Sequence, residues 1–501
     1  MVKLNYRVHI GDPVEAGVDS LIILIPRDQE KPLIPSDAEQ LFEGMISRVV
    51  ELEKFRGDVN ETLMFYPIDK PIKRVVLSGL GERPGLEEVR VAIGNAINLL
   101  SQKKAVRIGV CLRNLLDDFD IGDLIFNVVT TIESTLYDPS EWFKSEKNEV
   151  SLKEAILLID REGDYSEFVR RAVIVGDALN YARRIADTPS SIMNPEKIEE
   201  EARKLAEEYG LGIKVFHVED LEKNGLNAIL AVGRGGGVSP RLIVLEYRGR
   251  GGGDWDYGFI GKTVTFDAGG LDLKSAEGMS DMKYDKSGGA SVLGIMKAVA
   301  ELKLPYNIVA GIPVVENLPG PKAYKPRDII KMYNGLTVEI GNTDAEGRLI
   351  LADTLAYIDK NYKPKTIIDL ATLTGAIVVA LGNYAAGLFT ENDKLANKLY
   401  ELGWRIGERV WRMPLWREYY DQLKSEIADI NNIGGRAAGA ITAAAFLSKF
   451  VSDKSRWVHL DIAGTAWVQR GHPRKPYYKQ VAIGYGVKLL VSLLLEELKK
   501  K

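Results

Sequence analysis

The sequence predicts an α/β protein of two domains, a smaller N-terminal α/β domain over residues 1–165 and a larger C-terminal domain over residues 166–501 with a central mixed sheet flanked by helices. Three observations predict it. Short β-branched runs alternate with helix-period patterns along both halves, as expected where strands and helices alternate. The 501 residues exceed one ordinary domain. Several strand candidates in the second half are apolar on both faces, which suits the interior of a sheet covered by helices.

Taken in order, Val75–Leu80 and Arg107–Leu112 read as strands, with helices at Leu86–Leu100 and Ile121–Tyr137 and a closing strand at Ala155–Ile159. A long helix follows at Glu167–Ile185, ending before Thr188-Pro189, because the residue before a proline is pushed out of the helical region. The domain boundary is placed near the start of that helix. The second half is richer in Gly and offers strands at Arg241–Glu246, Gly258–Lys262, Ile308–Val315, Thr337–Ile340, Thr366–Leu370 and Trp457–Ile462, with a helix at Arg348–Tyr357. There is no internal repeat and no low-complexity tract.

Bulk properties exclude several classes of function. A net charge of −4 and a pI near 5.9 give no global electrostatic drive towards nucleic acid or an anionic membrane. The longest apolar runs, Leu21–Ile25 and Leu489–Leu495, fall far short of the roughly 20 residues that span a bilayer. The segment Met1–Arg7 lacks the plan of a signal peptide, so a cytoplasmic location is expected. A single cysteine, Cys111, builds neither a disulfide framework nor a Cys-rich zinc site and reads as a small apolar strand residue.

Several familiar motifs fail. Gly261-Lys262-Thr263 resembles a phosphate loop, but the required Gly five positions earlier is Asp256. Gly233–Val238 lacks the third Gly of a dinucleotide fingerprint. The histidines His9, His217, His459 and His472 are scattered, with no HExxH pair, and each reads as structural. No Gly-x-Ser-x-Gly elbow is present.

Two polar blocks remain. One runs from Gly261 to Lys274 and on through Met282–Gly289; the other is Asn342-Thr343-Asp344-Ala345-Glu346-Gly347-Arg348-Leu349, between a predicted strand and a predicted helix. If the fold joins them, Asp267, Asp285, Asp344 and Glu346 crowd four negative charges together, a problem that two divalent cations would remove. Such a pair activates a shared water for attack on a carbonyl. Acidic strand-end loops are also often merely solvated, so crowding alone leaves both readings open.

The octet resembles the signature of the leucyl (cytosol) aminopeptidase family. The Gly261–Lys274 block, Met282–Asp285, Glu316-Asn317-Leu318-Pro319-Gly320, Asp369–Ala376 and His459–Ala466 resemble it too, in the family's order, so that the likeness covers most of the chain from about Val173 onward. It implies a metal-dependent aminopeptidase domain over 166–501 that uses two divalent metal ions, Mn²⁺ or Zn²⁺ with Co²⁺ as an alternative, to cleave the N-terminal bond of peptides. By that resemblance Asp267 and Glu346 bridge both metals, Asp344 completes one site with its carboxylate and backbone carbonyl, and Lys262 and Asp285 complete the other. A lysine coordinates only as the neutral amine, so burial beside two cations is expected to push its pKa down. Lys274 resembles the family's catalytic lysine, which holds the developing oxyanion. Arg348 resembles the arginine that holds a bicarbonate proton relay. Met282, Asn342, Thr372, Leu373, Gly375, Ala463 and Ala466 match substrate-binding positions, and Met and Ala there favour Leu-like residues. The resemblance also implies a homohexamer.

Two departures stand out: Ala268 where many members carry Ser, and the segment His472–Gln480, which does not match the family's pattern. Neither touches the seven proposed metal and catalytic residues. A DNA-binding role, known for some relatives, is disfavoured by the acidic pI and the lack of a basic tail. A catalytically dead homologue would show a lost ligand, and none is lost.

Overall fold

The structure, a computed structural model, describes residues 4–29, 31–145, 150–469, 475–479 and 481–499. Of the unmatched segment, His472, Pro473, Arg474 and Gln480 lie outside the described residues. The chain divides into two compact units, one holding the residues up to Asn180 with Arg405–Gly407 and 475–479, the other the remainder of the described chain from Tyr181. The long helix Ser166–Asp187 contains the point of division, and it ends before Thr188-Pro189 as the proline requires.

The first unit is built on strands β1 (Asn5–Ile10), β2 (Ser20–Asp28), β3 (Lys31–Pro32), β4 (Thr62–Phe65), β5 (Arg74–Gly81), β6 (Arg107–Cys111) and β7 (Glu154–Ile159). Their order is β1-β7-β6-β2-β5-β4, with β3 paired to β2. The first five in that order run parallel, and β4 is antiparallel to β5. Successive residues of β2 face opposite ways. Ile22 and Leu24 pack into the core that includes the helices Leu86–Gln102 and Ile121–Leu136. Leu21, Ile23 and Ile25 pack into the core on the helices Ser36–Leu41 and Met45–Glu53. The short apolar run noticed in the sequence is thus an interior strand buried on both faces.

The second unit contains β8 (Gly212–Phe216), β9 (Arg241–Arg248), β10 (Tyr257–Gly261), β11 (Thr263–Asp267), β12 (Asn307–Asn317), β13 (Ile329–Lys331), β14 (Thr337–Glu339), β15 (Thr366–Ala371), β16 (Ala386–Phe389), β17 (Val410–Arg412), β18 (Ile430–Asn431) and β19 (Trp457–Asp461). Its large sheet is ordered β17-β16-β19-β15-β10-β12-β9-β8, with β11 extending along β12, and β13-β14-β18 form a small separate sheet. The central strands β19, β15, β10 and β12 are mutually parallel, so their carboxyl ends meet at one edge. The outer strands β16, β9 and β8 join antiparallel. The helix Glu346–Tyr362 is buried over nearly its whole length and carries Leu349, Ile350, Leu351 and Leu355 into the core. A helix apolar around most of its circumference belongs in such an interior.

One expectation needs correction. The sequence reads as a strand ending at Lys262 followed by a polar loop, yet the chain resumes extended structure at Thr263 and pairs β11 with β12 as far as Asp267 beside Asn317. Only Lys262 separates the two strands, and its backbone is bonded on both sides: its N–H donates to Leu370 O at 3.0 Å, and its carbonyl accepts from Gly289 N at 2.8 Å. The helix Ser287–Glu301 approaches here through two glycines. A Cβ on Gly288 would lie 2.2 Å from Leu370 O, and one on Gly289 would lie 1.9 Å from Thr263 Oγ1. Gly288→Ala is therefore expected to lower the unfolding midpoint, at a cost of roughly 1–3 kcal/mol. A urea melt matching wild type would show that the contact relaxes freely.

Candidate active site

The edge formed by the carboxyl ends of the parallel strands gathers the polar blocks, as open α/β sheets commonly do. Lys262, in the break after β10, places Nζ 2.9 Å from Asp285 Oδ1 and 2.8 Å from Glu346 Oε1, and donates to the Thr372 carbonyl at 2.8 Å. Lys274 reaches Asp267 Oδ2 at 2.9 Å and also contacts Asp344. Asp267, Asp344 and Glu346 each offer a carboxylate oxygen within 4.8 Å of the others. The fold thus unites all five residues read as metal ligands, together with Lys274, around one point.

Each piece is delivered by its local structure. Asp267 ends β11, Asp285 lies in the tight turn Met282–Lys286, and Glu346 opens its buried helix, where a negative charge is favoured by the helix dipole. Gly347 next to it leaves room for the lysine: a Cβ there would sit 2.6 Å from Lys262 Cε and 2.7 Å from Nζ.

The cluster is buried, and burial sets its electrostatics. Burial works against the charge on Lys262, but the carboxylates of Asp285, Glu346 and Asp267 outweigh it and hold the ammonium well above the usual lysine range. Lys274 behaves in the same way beside Asp267, Glu346 and Asp344. Among these protein groups alone, then, Lys262 is shifted opposite to the expectation from the sequence, because that expectation counted the cations and not the carboxylates. Burial, with repulsion from Asp267 and Glu346, pushes Asp344 up to about 7. Asp285 is likewise raised by burial. Its Oδ2 is buried with no hydrogen-bond partner. A buried acceptor without a donor, in a set of carboxylate oxygens and one amine, fits a divalent cation.

The two blocks are pinned to each other by residues with no role assigned from the sequence. Thr343 N donates to Asp272 Oδ2 at 2.7 Å, and Asp272 N donates back to Thr343 Oγ1 at 2.8 Å. Asn317 bridges them, donating to Asp267 Oδ1 at 2.9 Å and to the Thr343 carbonyl at 3.1 Å. The Tyr324 hydroxyl donates to the same carbonyl at 2.6 Å. Asn432 supports the other side: it accepts from Gly341 N, donates to the Asn342 carbonyl and offers its own carbonyl to Arg348 Nη1 at 2.8 Å. Asp272 and Thr343 lie inside the polar blocks and Asn317 in the Glu316–Gly320 stretch that resembles the family, which was their only signal, and Asn432 had none.

Arg348 is buried, which brings its guanidinium down to about 10. No carboxylate pairs with it among the described residues, and its Nε has no hydrogen-bond partner. It is therefore not a helix-start arginine serving a neighbouring acid.

The residues read as substrate-binding are spread over the same edge in different situations. Thr372 supports the cluster directly, its hydroxyl donating to Asp285 Oδ1 at 2.7 Å. Leu373, half-buried, donates its N–H to Asp461 Oδ1, as does Ala463. Asn342 turns its side chain inward to accept from Asp344 N at 2.6 Å. Met282, half-buried, opens the turn that carries Asp285. Gly375 is exposed, and a Cβ there would meet nothing within 4 Å. Ala466 is only 1% exposed, with backbone bonds to Ile462 and Ile483.

His459 is buried, and its Nδ1 lies 2.6 Å from Asp369 Oδ1, while Trp457 Nε1 donates to Asp369 Oδ2 at 2.7 Å. This is a structural network within β15 and β19. Gly261-Lys262-Thr263 forms the strand break described above and not a phosphate loop. Cys111 is buried at the end of β6. No helix among the described residues is long and apolar enough to cross a membrane.

The chain also resembles known proteins over most of its length. Residues 180–491 match the sequence profile of the cytosol aminopeptidase family, catalytic domain, and residues 24–147 match that of the family's N-terminal domain. The chain is 39% identical over 492 residues to a probable cytosol aminopeptidase of Geotalea uraniireducens, covering 97% of this chain and 98% of the relative. It is 42% identical over 427 residues to a probable cytosol aminopeptidase of Cenarchaeum symbiosum, covering 85% and 86%. Among solved structures, a point mutant of tomato leucine aminopeptidase superposes with a TM-score of 0.88 at 30% identity, covering 99% of this chain and 97% of the other. The bottromycin maturation enzyme BotP in complex with Mn gives 0.83 at 27% identity, covering 96% and 99%.

Gly347→Ala tests the seat of Lys262. The added methyl is expected to displace the ammonium while leaving the helix intact, so divalent-metal affinity falls by roughly tenfold or more with little change in the thermal melt. Metal titration of the stripped protein checks this, and an affinity equal to wild type would show that the seat of Lys262 does not matter.

Proposed function

The chain belongs to the cytosol aminopeptidase family, as a metal-dependent exopeptidase and hydrolase, and from that premise we propose that it removes Leu-like apolar residues from peptide N-termini with two divalent metals. The observation that carries this reading is the contact of Lys262 with both Asp285 and Glu346, which closes two distant segments into one ligand set. We assign the chemistry to the domain from residue 166 onward, with residues 1–165 as the accessory N-terminal domain.

Asp267 and Glu346 would bridge the two metals. Asp344 would complete one site with its carboxylate and backbone carbonyl, and Lys262 and Asp285 would complete the other. When bound, the metals supply a water acidic enough to attack at neutral pH and positive charge for the carbonyl oxygen. Lys274, which stands beside Asp267 and Asp344, would polarise the scissile carbonyl and hold the oxyanion. Arg348, with an unpartnered Nε and no carboxylate in ion-pair contact among the described residues, suits an anion such as bicarbonate, which would supply a proton acceptor. Only the end of a peptide offers a free amine to such a site, which accounts for trimming from the N-terminus. Met282, Thr372, Gly375, Ala463 and Ala466 are the positions at which we expect the first side chain to be read, with Asn342 and Leu373 shaping the rim.

The metals are proposed to be Mn²⁺ or Zn²⁺, with Co²⁺ as a substitute; the similar bottromycin maturation enzyme BotP is known in complex with Mn. The protein is proposed to work in the cytoplasm as a homohexamer on peptides, without nucleic acid or membrane partners. Support for these points comes from the family and, for nucleic acid, from the net charge of −4.

An aminoacyl-anilide panel, run on metal-stripped protein with Zn²⁺, Mn²⁺ or Co²⁺ added back, tests the central reading. Leu-like anilides should be cleaved fastest, and silence with every metal would sink it. Glu346→Ala should lower turnover by more than roughly 100-fold; wild-type rate and metal content in that variant would overturn the ligand assignment.

Metal binding should also depend on pH in one direction. Asp344, held up to about 7 by burial and by Asp267 and Glu346, is protonated below that pH, and Lys262 coordinates only after losing its proton. Metal loading therefore releases protons, one from Lys262 throughout the working pH range and a second from Asp344 below about 7, so affinity should fall about tenfold per pH unit for each proton displaced and more steeply below about 7. Titrations at two pH values in buffers of differing ionisation heat read this out; equal affinity and no proton release would contradict it.

A further inference from the structure

In the N-terminal unit a cavity of about 630 Å³ opens at the carboxyl ends of β1, β6 and β7, a volume within the range of small-molecule sites. Aminopeptidase chemistry makes no use of it. Its floor is apolar, formed by Leu21 and Ile23 of β2 and by Cys111. Burial, reinforced by Asp37, pushes the Cys111 thiol up to about 11 and keeps it neutral. The rim is charged: Asp12 follows β1, Asp160 follows β7, Asp37 lies on the helix Ser36–Leu41, and Arg113 follows β6.

Arg113 gives this rim its polarity. Its Nη1 stands 3.4 Å from Asp37 Oδ2, long for a charge-assisted bond. Its Nε and Nη2 are buried and have no hydrogen-bond partner. Those two N–H groups form one edge of the guanidinium fork, the edge that grips a carboxylate with two parallel bonds. Buried donors are seldom left unmet, so an acceptor belongs there.

The three aspartates call for a positive group, but not for a metal ion. Asp12, Asp37 and Asp160 do not bring three carboxylate oxygens within 4.8 Å of one another, as Asp267, Asp344 and Glu346 do. An ammonium satisfies separated carboxylates with its three donors. An anion-gripping fork and a carboxylate side by side, above an apolar floor, complement a molecule carrying the opposite charges side by side. In an α-amino acid the amino nitrogen and carboxyl carbon are about 2.5 Å apart across one Cα, and each further residue of a peptide separates the two ends by up to about 3.3–3.6 Å more.

We propose that this cavity binds a free α-amino acid with an apolar side chain. The carboxylate lies on Arg113, the ammonium among Asp37, Asp12 and Asp160, and the side chain on Leu21, Ile23 and Cys111. Binding itself is independent of catalysis; only its interpretation as sensing of the released product rests on the aminopeptidase reading. A dipeptide carries the same two charges, so the test separates the two sources.

The test is equilibrium binding of L-leucine to the full chain stripped of metal, which removes the metals from the catalytic edge. Saturable binding is expected, weakened at least tenfold by Arg113→Met and by Asp37→Asn. In competition, 4-methylpentanoate, which lacks the amine, and 3-methylbutylamine, which lacks the carboxylate, should each fail, and Leu-Gly should compete less well than leucine. Absent saturable binding, unaltered binding in both variants, or equal competition by either truncated analogue would overturn the proposal, and tighter binding of Leu-Gly would overturn the amino-acid assignment. Should Arg113→Met fail to fold, Arg113→Lys, which keeps the charge but loses the fork, takes its place with the same expected loss. A silent anilide assay would leave this binding intact, so the two readings fail separately.

Discussion

Concentrated negative charge inside the catalytic unit is the constraint on which the rest depends. Asp267, Asp344 and Glu346 hold oxygens within 4.8 Å of one another, and Asp285 shares Lys262 with Glu346. Unit charges at about 4 Å interact by on the order of 4 kcal/mol near a protein surface, several times the net worth of a typical hydrogen bond. Such a cluster persists only with compensation. Lys262 and Lys274 provide part of it, at the cost of burying two ammonium groups. Four carboxylates against two ammonium groups leave negative charge in excess, more so once Lys262 gives up its proton, and divalent cations would offset it.

Holding that cluster together is the work of the sheet and its loops. Parallel strands align their carboxyl ends, so Lys262, Asn317, Thr372 and Asp461, from four neighbouring strands, reach one edge without long loops. The one-residue break after β10 then turns Lys262 into the cluster while hydrogen bonds to Leu370 and Gly289 secure its backbone. Small residues enter where backbones must nearly touch: Gly288 against Leu370, Gly347 against the lysine stem. Around the rim, paired bonds between Asp272 and Thr343 and the bridging amide of Asn317 convert two mobile-looking polar loops into a single framework. A metal centre needs such outer contacts to fix its ligands.

The N-terminal unit uses the same architectural rule for a different chemistry. Its parallel strands also end at one edge, but there the charged groups are spaced apart over an apolar floor, with an arginine among aspartates. Spacing separates the two sites: converging carboxylates suit a metal ion, dispersed ones an organic cation.

The sequence by itself determined the alternation of strands and helices, the kinds of residue available for chemistry and the two blocks that carry them. Hydrophobic periodicity and residue type are local, so Val75–Leu80, Arg107–Leu112 and the helix at Leu86 are legible in one dimension, and so is the match of the octet to a known family. The tertiary structure decided what no local pattern encodes. It made β2 an interior strand, turned Thr263–Asp267 from loop into strand, and gave Asn432 its place beneath Asn342 and Arg348. Asp272 and Thr343 lie 71 positions apart and still exchange a hydrogen bond from each backbone N–H. Which distant residues meet depends on strand order, and strand order follows from how the whole core packs. The same dependence acts on Lys262, whose ammonium is favoured by the carboxylates that the fold brings to it and not by its neighbours in the chain.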